Sequence, residues 1–335
     1  MSKRYYYGGQ AVMEGVMMRG QRQMAVAVRQ PDGRIALYSE PLNSWVYRSR
    51  VRHWPLVRGV FVLWDALLLG MRALTLSANV AIAGEEPGGQ GAGEEAPAGV
   101  AGPLLWVTVA IALAFAVGLF FVLPLVIIHF LDRWIASAVV SNLVEGGIRL
   151  ALLLGYLLLI GQMRDIRRVF GYHGAEHKAI NAYEAGAPLD VPSVQRQSTL
   201  HTRCGTGFLL VVVLLSIVVF VFLGRPPLPL RILSRIVLVP AIAALAYEFI
   251  RFGAAHYGNR LVRLLLTPSL ALQRVTTRQP EDGMVETAIV ALKRVLIADQ
   301  QLTDEEAGLD AIVAVDASGR PVRVPVPEVA PLVTL

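Results

Sequence analysis

The stretch Tyr172-His173-Gly174-Ala175-Glu176-His177-Lys178 reads H-x-x-E-H. On a helix, His173 and His177 stand one turn apart and share a face. Two imidazoles at that spacing can hold one metal ion, and Glu176 is near enough to handle a proton on water bound to it. Downstream, Leu200-His201-Thr202-Arg203-Cys204-Gly205 supplies a further imidazole and the single thiol of the chain. His201 and Cys204 are separated by two residues, a spacing that suits two ligands on one turn. The four side chains form an N/S donor set that suits Zn2+. If all four bind, the site is closed and structural. If three bind, a position opens for water and Glu176 can act as general base. Cys204 reads equally well as a ligand and as a buried apolar thiol. The plain alternative for the whole stretch is a solvated helix.

Other residues join as candidates. Asn181 and Glu184 continue the polar face of His173 and His177. Glu14 sits among glycines in Tyr7-Gly8-Gly9-Gln10-Ala11-Val12-Met13-Glu14-Gly15-Val16-Met17-Met18-Arg19-Gly20, pointing either into the active region or out on a solvated turn. Glu248, at the end of an apolar segment, reads as a ligand, a proton carrier or the partner of Arg251. Met13, Met17, Met18 and Met24 favour adaptable packing over a soft-metal site. Asn142, Glu145 and Arg149 share a helical face, with Glu145 and Arg149 spaced for an i,i+4 salt bridge. His53, His129 and His256 are isolated and read as structural.

The elements that must position these groups are set by composition. Of 335 residues, 55% are hydrophobic and 17% charged, and the mean hydropathy is +0.53. Soluble domains carry about 25% charged residues, so a polytopic membrane protein is expected. The net charge of +6 then reflects basic cytoplasmic loops and anionic lipid. No basic run is interleaved with aromatics, which argues against a nucleic-acid partner. One cysteine leaves no disulfide framework. The start of the chain has no apolar signal core and is expected to stay cytoplasmic.

Residues 1–53 predict a β-rich cytoplasmic unit, with Pro31-Asp32-Gly33 as a turn between two strand-like runs. Residues 54–83 carry Arg58, Asp65 and Arg72 seven apart, predicting an amphipathic helix lying on the membrane. Residues 84–102 are rich in Gly, Pro, Ala and Glu and predict a disordered linker. A transmembrane helical domain over 103–252 follows. Its four crossings are expected at 104–128, 148–163, 207–223 and 232–250, with Arg149 snorkelling at an outer end. The motif-bearing loop 164–204 faces the cytoplasm with Arg164, Arg167, Arg168, Lys178, Arg196 and Arg203. Segment 253–300 is expected to be cytoplasmic and helical, with an amphipathic helix over 281–298. Residues 301–335 are a tail, with a hairpin or a loose end over 312–324.

The combined motifs resemble the YqhQ-like family of bacterial integral membrane proteins. The resemblance rests on Gly8 to Gly20, Tyr172 to Lys178, His201-Thr202-Arg203-Cys204-Gly205-Thr206 and Thr276-Thr277-Arg278. It covers residues 5–300 apart from the linker. It implies a multi-pass membrane protein that is a predicted metal-dependent enzyme of unknown function, and it supplies no substrate.

The expected fold is mainly α: about four transmembrane helices, an interfacial helix and a small N-terminal β-rich unit, in the bacterial plasma membrane with both termini cytoplasmic. The expected activity is that of a metal-dependent hydrolase. Glu176 moves the proton, His173, His177, His201 and Cys204 take the zinc, and Glu248, Glu14, Asn181 and Glu184 are further candidates. Its partners are the lipid bilayer and an amphiphilic or membrane-anchored substrate. The alternative is a non-catalytic transporter or assembly factor with a structural metal site.

Overall fold

The computed structural model describes residues 7–42, 54–85, 103–309 and 312–322. Residues 86–102 of the predicted linker and His53 lie outside them, while Gly84 and Glu85, the first two linker residues, end a helix. The chain begins with strands β1 (Gly8–Val12), β2 (Gly15–Arg19), β3 (Gln23–Arg29) and β4 (Ile35–Pro41) in an antiparallel meander. Gly33, at φ +87°, closes the predicted Pro-Asp-Gly turn. The fifth strand comes from the other end: β5 (Val313–Ala314) pairs with β4 in parallel, and a hairpin bridge joins Val315 to Pro321. Part of the predicted tail is therefore a sheet edge.

Strand alternation gives the sheet two buried faces. Val16, Met18, Ala25, Ala27 and Ile35 look one way, toward helices α5 (Arg164–Ala185) and α10 (Asp282–Ala298). Val12, Met17, Met24, Val26 and Val28 look the other way, toward α1 (Val57–Glu85) through Leu69, Ala73, Leu76 and Val80. Three of the four N-terminal methionines are thus sheet packing. Helix α10, read from the sequence as an amphipathic helix, buries most of its surface between the sheet and α5, because Met284, Thr287, Ala291 and Val295 widen its apolar side, while Asp282 and Glu286 stay exposed.

Next comes α2 (Pro103–Val117), which runs through a π-helical turn at Gly118–Val122 into α3 (Leu123–Leu131). Helices α4 (Ala138–Ile160), α7 (Gly205–Leu223) and α8 (Leu228–Ala255) complete the apolar set. Short α6 (Val191–Gln195) and α11 (Asp304–Ala307) lie in connections. Helix α9 (Arg260–Thr276) lies within the segment expected to be helical, 253–300; it packs Leu272 against Leu153, Leu157 and Leu210 of α4 and α7.

Among the described residues, five segments are long and apolar enough to cross a membrane, one more than expected; the extra one is α1. Topology decides how many cross. β5 pairs with β4, so the two ends of the described chain share one side and the number of crossings between them is even. α5 and α10 also pack on the sheet, which fits α2–α3, α4, α7 and α8 crossing alternately. α1 is then the helix left on the sheet side. Its buried face lies on the sheet, while Val57, Val60, Trp64 and Leu67 form an exposed apolar stripe. Its charges are paired: Arg58 with Glu248, Asp65 with Arg19, and Arg72 with Glu40.

One further expectation is corrected. Arg149 does not snorkel. α4 starts ten residues earlier than the hydropathy suggested, so Arg149 lies well inside the helix and is 2% exposed.

Candidate metal centre

Helix α5 carries the H-x-x-E-H motif. Asp165 favours its first turn, and Gly186 at φ +69° ends it. Tyr172, Ala175, Ala179 and Ile180 are buried against the sheet and α10. That leaves His173, His177, Asn181 and Glu184 on the opposite face, turned toward the 198–204 segment. Asn181 holds this segment with Nδ2 donating to the carbonyls of Ser198 (2.8 Å) and Leu200 (3.1 Å). Lys178 does the same one turn back, with Nζ donating to the Gln195 and Gln197 carbonyls at 2.7 Å each. The segment ends at Cys204, the residue before α7.

His173, His177 and Cys204 converge: one ligand atom from each lies within 4.8 Å of the others. His173 Nε2 is 3.2 Å from Cys204 Sγ. Both rings are oriented through their far nitrogens. His173 Nδ1 meets the Thr276 carbonyl at 2.8 Å, and His177 Nδ1 meets the Thr199 carbonyl at 2.6 Å. A carbonyl can only accept, so Nδ1 carries the proton and Nε2 presents a lone pair. The His177 Nε2 is buried with no hydrogen-bond partner. A buried orphan acceptor is costly unless something fills its coordination. Carbonyl-anchored imidazoles beside a thiol are the donor arrangement that metal-binding histidines use, so the residues present fit a Zn2+ ion.

Glu176 is buried beside them, its Oε2 4.0 Å from His173 Nε2. Burial pushes its pKa up to about 7, opposed by His173 and by a hydrogen bond from the Gly9 backbone. β1 supplies that contact because residue 9 is glycine: a Cβ there would stand 2.9 Å from Glu176 Cγ and 2.6 Å from the Met17 carbonyl. Gly174 works the same way on the other side. A Cβ there would be 2.0 Å from the Arg278 carbonyl, so only glycine lets the segment after α9 cross α5 and bring the Thr276 carbonyl to His173.

His201 stands one step away. Its ring is 5.6 Å from that of His177, its Nε2 is 3.6 Å from Glu184 Oε2, and burial lowers its pKa. Gln273 clamps its backbone, accepting from its N–H and donating to its carbonyl, both at 2.9 Å. Glu184 also pairs with Arg203. Of the four proposed ligands, three are brought together and His201 adjoins them, while Asn181 and Glu184 brace the loop.

Glu14 and Glu248 are elsewhere. Glu14, in a two-residue turn at φ +51°, pairs with Arg168 and sits 3.3 Å from the Tyr172 hydroxyl. Glu248, left open in the sequence as a ligand, a proton carrier or the partner of Arg251, pairs with Arg58, because α1 begins beside the end of α8. Sequence reasoning missed Thr276, Thr199 and Gln273 as supports. Thr276 was visible only as part of a matched motif, and a backbone carbonyl has no side-chain signature.

The model for the family described as protein of unknown function (DUF1385) matches residues 54–298. An uncharacterized protein from Bacillus subtilis (strain 168), YqhQ, is 34% identical over 294 residues, covering 87% of this chain and 92% of that protein. No solved structure matches.

Proposed function

The chain belongs to the DUF1385 family of proteins of unknown function, as its motifs suggested, and from that premise we propose that it is a membrane-embedded, metal-dependent enzyme of hydrolase type. The observation that carries the reading is the convergence of three ligand atoms, from His173, His177 and Cys204, beside a buried carboxyl. Three protein ligands are the pattern of a catalytic zinc site, four that of a structural one. When bound, Zn2+ would act as a Lewis acid, polarising a carbonyl or phosphoryl oxygen and acidifying water. The protein's own part follows from position. The Thr199 and Thr276 carbonyls fix the two imidazoles in one tautomer. Glu176 takes the proton from the attacking water and returns it to the leaving group. The Gly9 contact holds that carboxyl in place.

Cys204 and His201 directly precede α7, an apolar helix, so the site sits at the membrane surface. An amphiphilic or membrane-anchored substrate suits that position. The basic residues around the site support a cytoplasmic face for it, and with it the reading of a bacterial plasma-membrane protein with both chain ends on that side.

One observation favours a rival reading. Among the described residues His201 Nε2 is also buried without a hydrogen-bond partner, with Glu184 Oε2 at 3.6 Å, and as a fourth ligand it would make the site a closed structural centre. The test is the absorption spectrum of the cobalt-substituted protein. One thiolate band that shifts on adding a small anion, and that survives His201→Ala, supports an open catalytic site. A four-ligand spectrum that ignores anions and collapses in His201→Ala supports the structural one.

A further inference from the structure

We propose that the end of the membrane domain opposite the metal centre binds a phosphate-bearing lipid, its headgroup in an arginine cleft and an acyl chain in the adjoining apolar groove. The two ends are separated by the length of α7, about 28 Å at 1.5 Å per residue.

The cleft begins from a buried charge imbalance. Glu145 of α4 is 2% exposed and accepts from three arginines: Arg149, Arg231 and Arg235, each at 2.8 Å. Asp132, just after α3, pairs with Arg231 at 3.0 Å and Arg225 at 2.8 Å. Four guanidiniums thus share two carboxylates. The surplus is two positive charges in a place where ionisable groups are costly and mark function by default. The protein relieves part of the cost itself. Arg149 donates to the Phe120 carbonyl, in the π-helical turn, and to Ser216 Oγ, while Arg235 stacks 3.8 Å over the Phe220 ring. Arg231 is not fully relieved. Its side chain is 4% exposed and its Nε is buried with no hydrogen-bond partner.

Arg231 also lines a cleft of about 510 Å3 with His129, Asp132, Arg133 and Arg225. An anion in that cleft would meet Arg133 and Arg225 as well as Arg231, and guanidiniums are the side chains that pair best with phosphate oxygens. Beside it, sharing Pro226, runs a groove of about 400 Å3 lined by Leu223, Leu230, Leu233 and Val237. All four leucine and valine side chains are at least 40% exposed in apolar helices. A cationic cleft continuous with an apolar groove at a membrane boundary is the shape of one molecule with both parts: a phospholipid, here an anionic one.

The experiment titrates the full chain in neutral detergent with short-chain phosphatidylglycerol, inorganic phosphate and the matching diacylglycerol, reading the unfolding temperature. The expected result is saturable stabilisation by phosphatidylglycerol alone. Arg133→Gln, an exposed change, weakens it several-fold, and Arg133→Gln with Arg225→Gln about tenfold or more. Asp132→Asn tightens it, because Arg225 and Arg231 lose their internal counter-ion; a purely structural cluster would not give that sign. Arg58→Gln, a paired arginine at the other end, leaves the titration unchanged. Equal binding by wild type and Arg133→Gln/Arg225→Gln, or no saturable shift with phosphatidylglycerol, would overturn the site. Inorganic phosphate matching the lipid would overturn the lipid assignment.

Discussion

Glu145 and Glu176 are both buried carboxyl groups near opposite ends of α7, and their surroundings are opposite. Glu145 is gripped by three guanidiniums. Glu176 has a backbone N–H from Gly9 and one imidazole at 4.0 Å. The first is held by salt bridges inside an excess of guanidinium groups. The second is free to hold or release a proton beside a set of lone pairs. The contrast teaches that burial alone does not define a carboxyl's role; the number of cations facing it does. One end of the domain gathers guanidiniums, the other gathers imidazoles and a thiol.

Replacing these two residues should move stability in opposite directions. Glu145→Gln leaves three buried arginines without their shared partner and should cost about 3–5 kcal/mol or abolish folding, read by thermal unfolding in detergent. A loss below about 1 kcal/mol would show that the cluster is held by something else. Glu176→Gln should stabilise the metal-free protein. The native pKa of about 7 lies above the unfolded 4.5, so ionising the buried group works against folding. Wild type loses stability as pH rises from 4.5 to 7 and the loss is complete above 7. The variant escapes it, gaining about 3 kcal/mol at pH 8 and nothing near pH 4. An equal effect at both pH values would remove the raised pKa.

Smaller changes sharpen the positioning argument. Gly174→Ala drives a Cβ into the Arg278 carbonyl and should cost about 1–3 kcal/mol while weakening metal retention, because the Thr276 carbonyl is displaced from His173. Unchanged metal retention would show that this carbonyl is dispensable. Smallest is Glu248→Gln, which breaks the pair with Arg58. At the partly exposed end of α8 it should cost about 1 kcal/mol and leave metal content intact. Metal loss there would return Glu248 to the site.

What the sequence could reveal follows from how local each signal is. The H-x-x-E-H spacing, the strands around Pro31-Asp32-Gly33 and the apolar segments are short-range patterns, and all are found as helices, strands and turn. Glu145 and Arg149 read as a local pair, but Arg231 and Arg235 join them from about ninety residues away, which spacing cannot show. The polar start of α4, with Ser141, Asn142 and Glu145, hid the true length of the span and so misplaced Arg149. The bounds of α9, inside the segment read as helical, are obscured by Pro268 within it and by its mixed polarity. α1 looked interfacial from its charges, and its place follows from the β4–β5 pairing, which joins residues nearly three hundred apart.

The central claim is tested most directly by elemental analysis of the purified full chain beside His177→Ala and Cys204→Ser, with each variant's folding checked in parallel. The account predicts about one zinc per wild-type chain and its loss from both folded variants. Equal metal in all three proteins, or none in the wild type after supply of zinc, would contradict it.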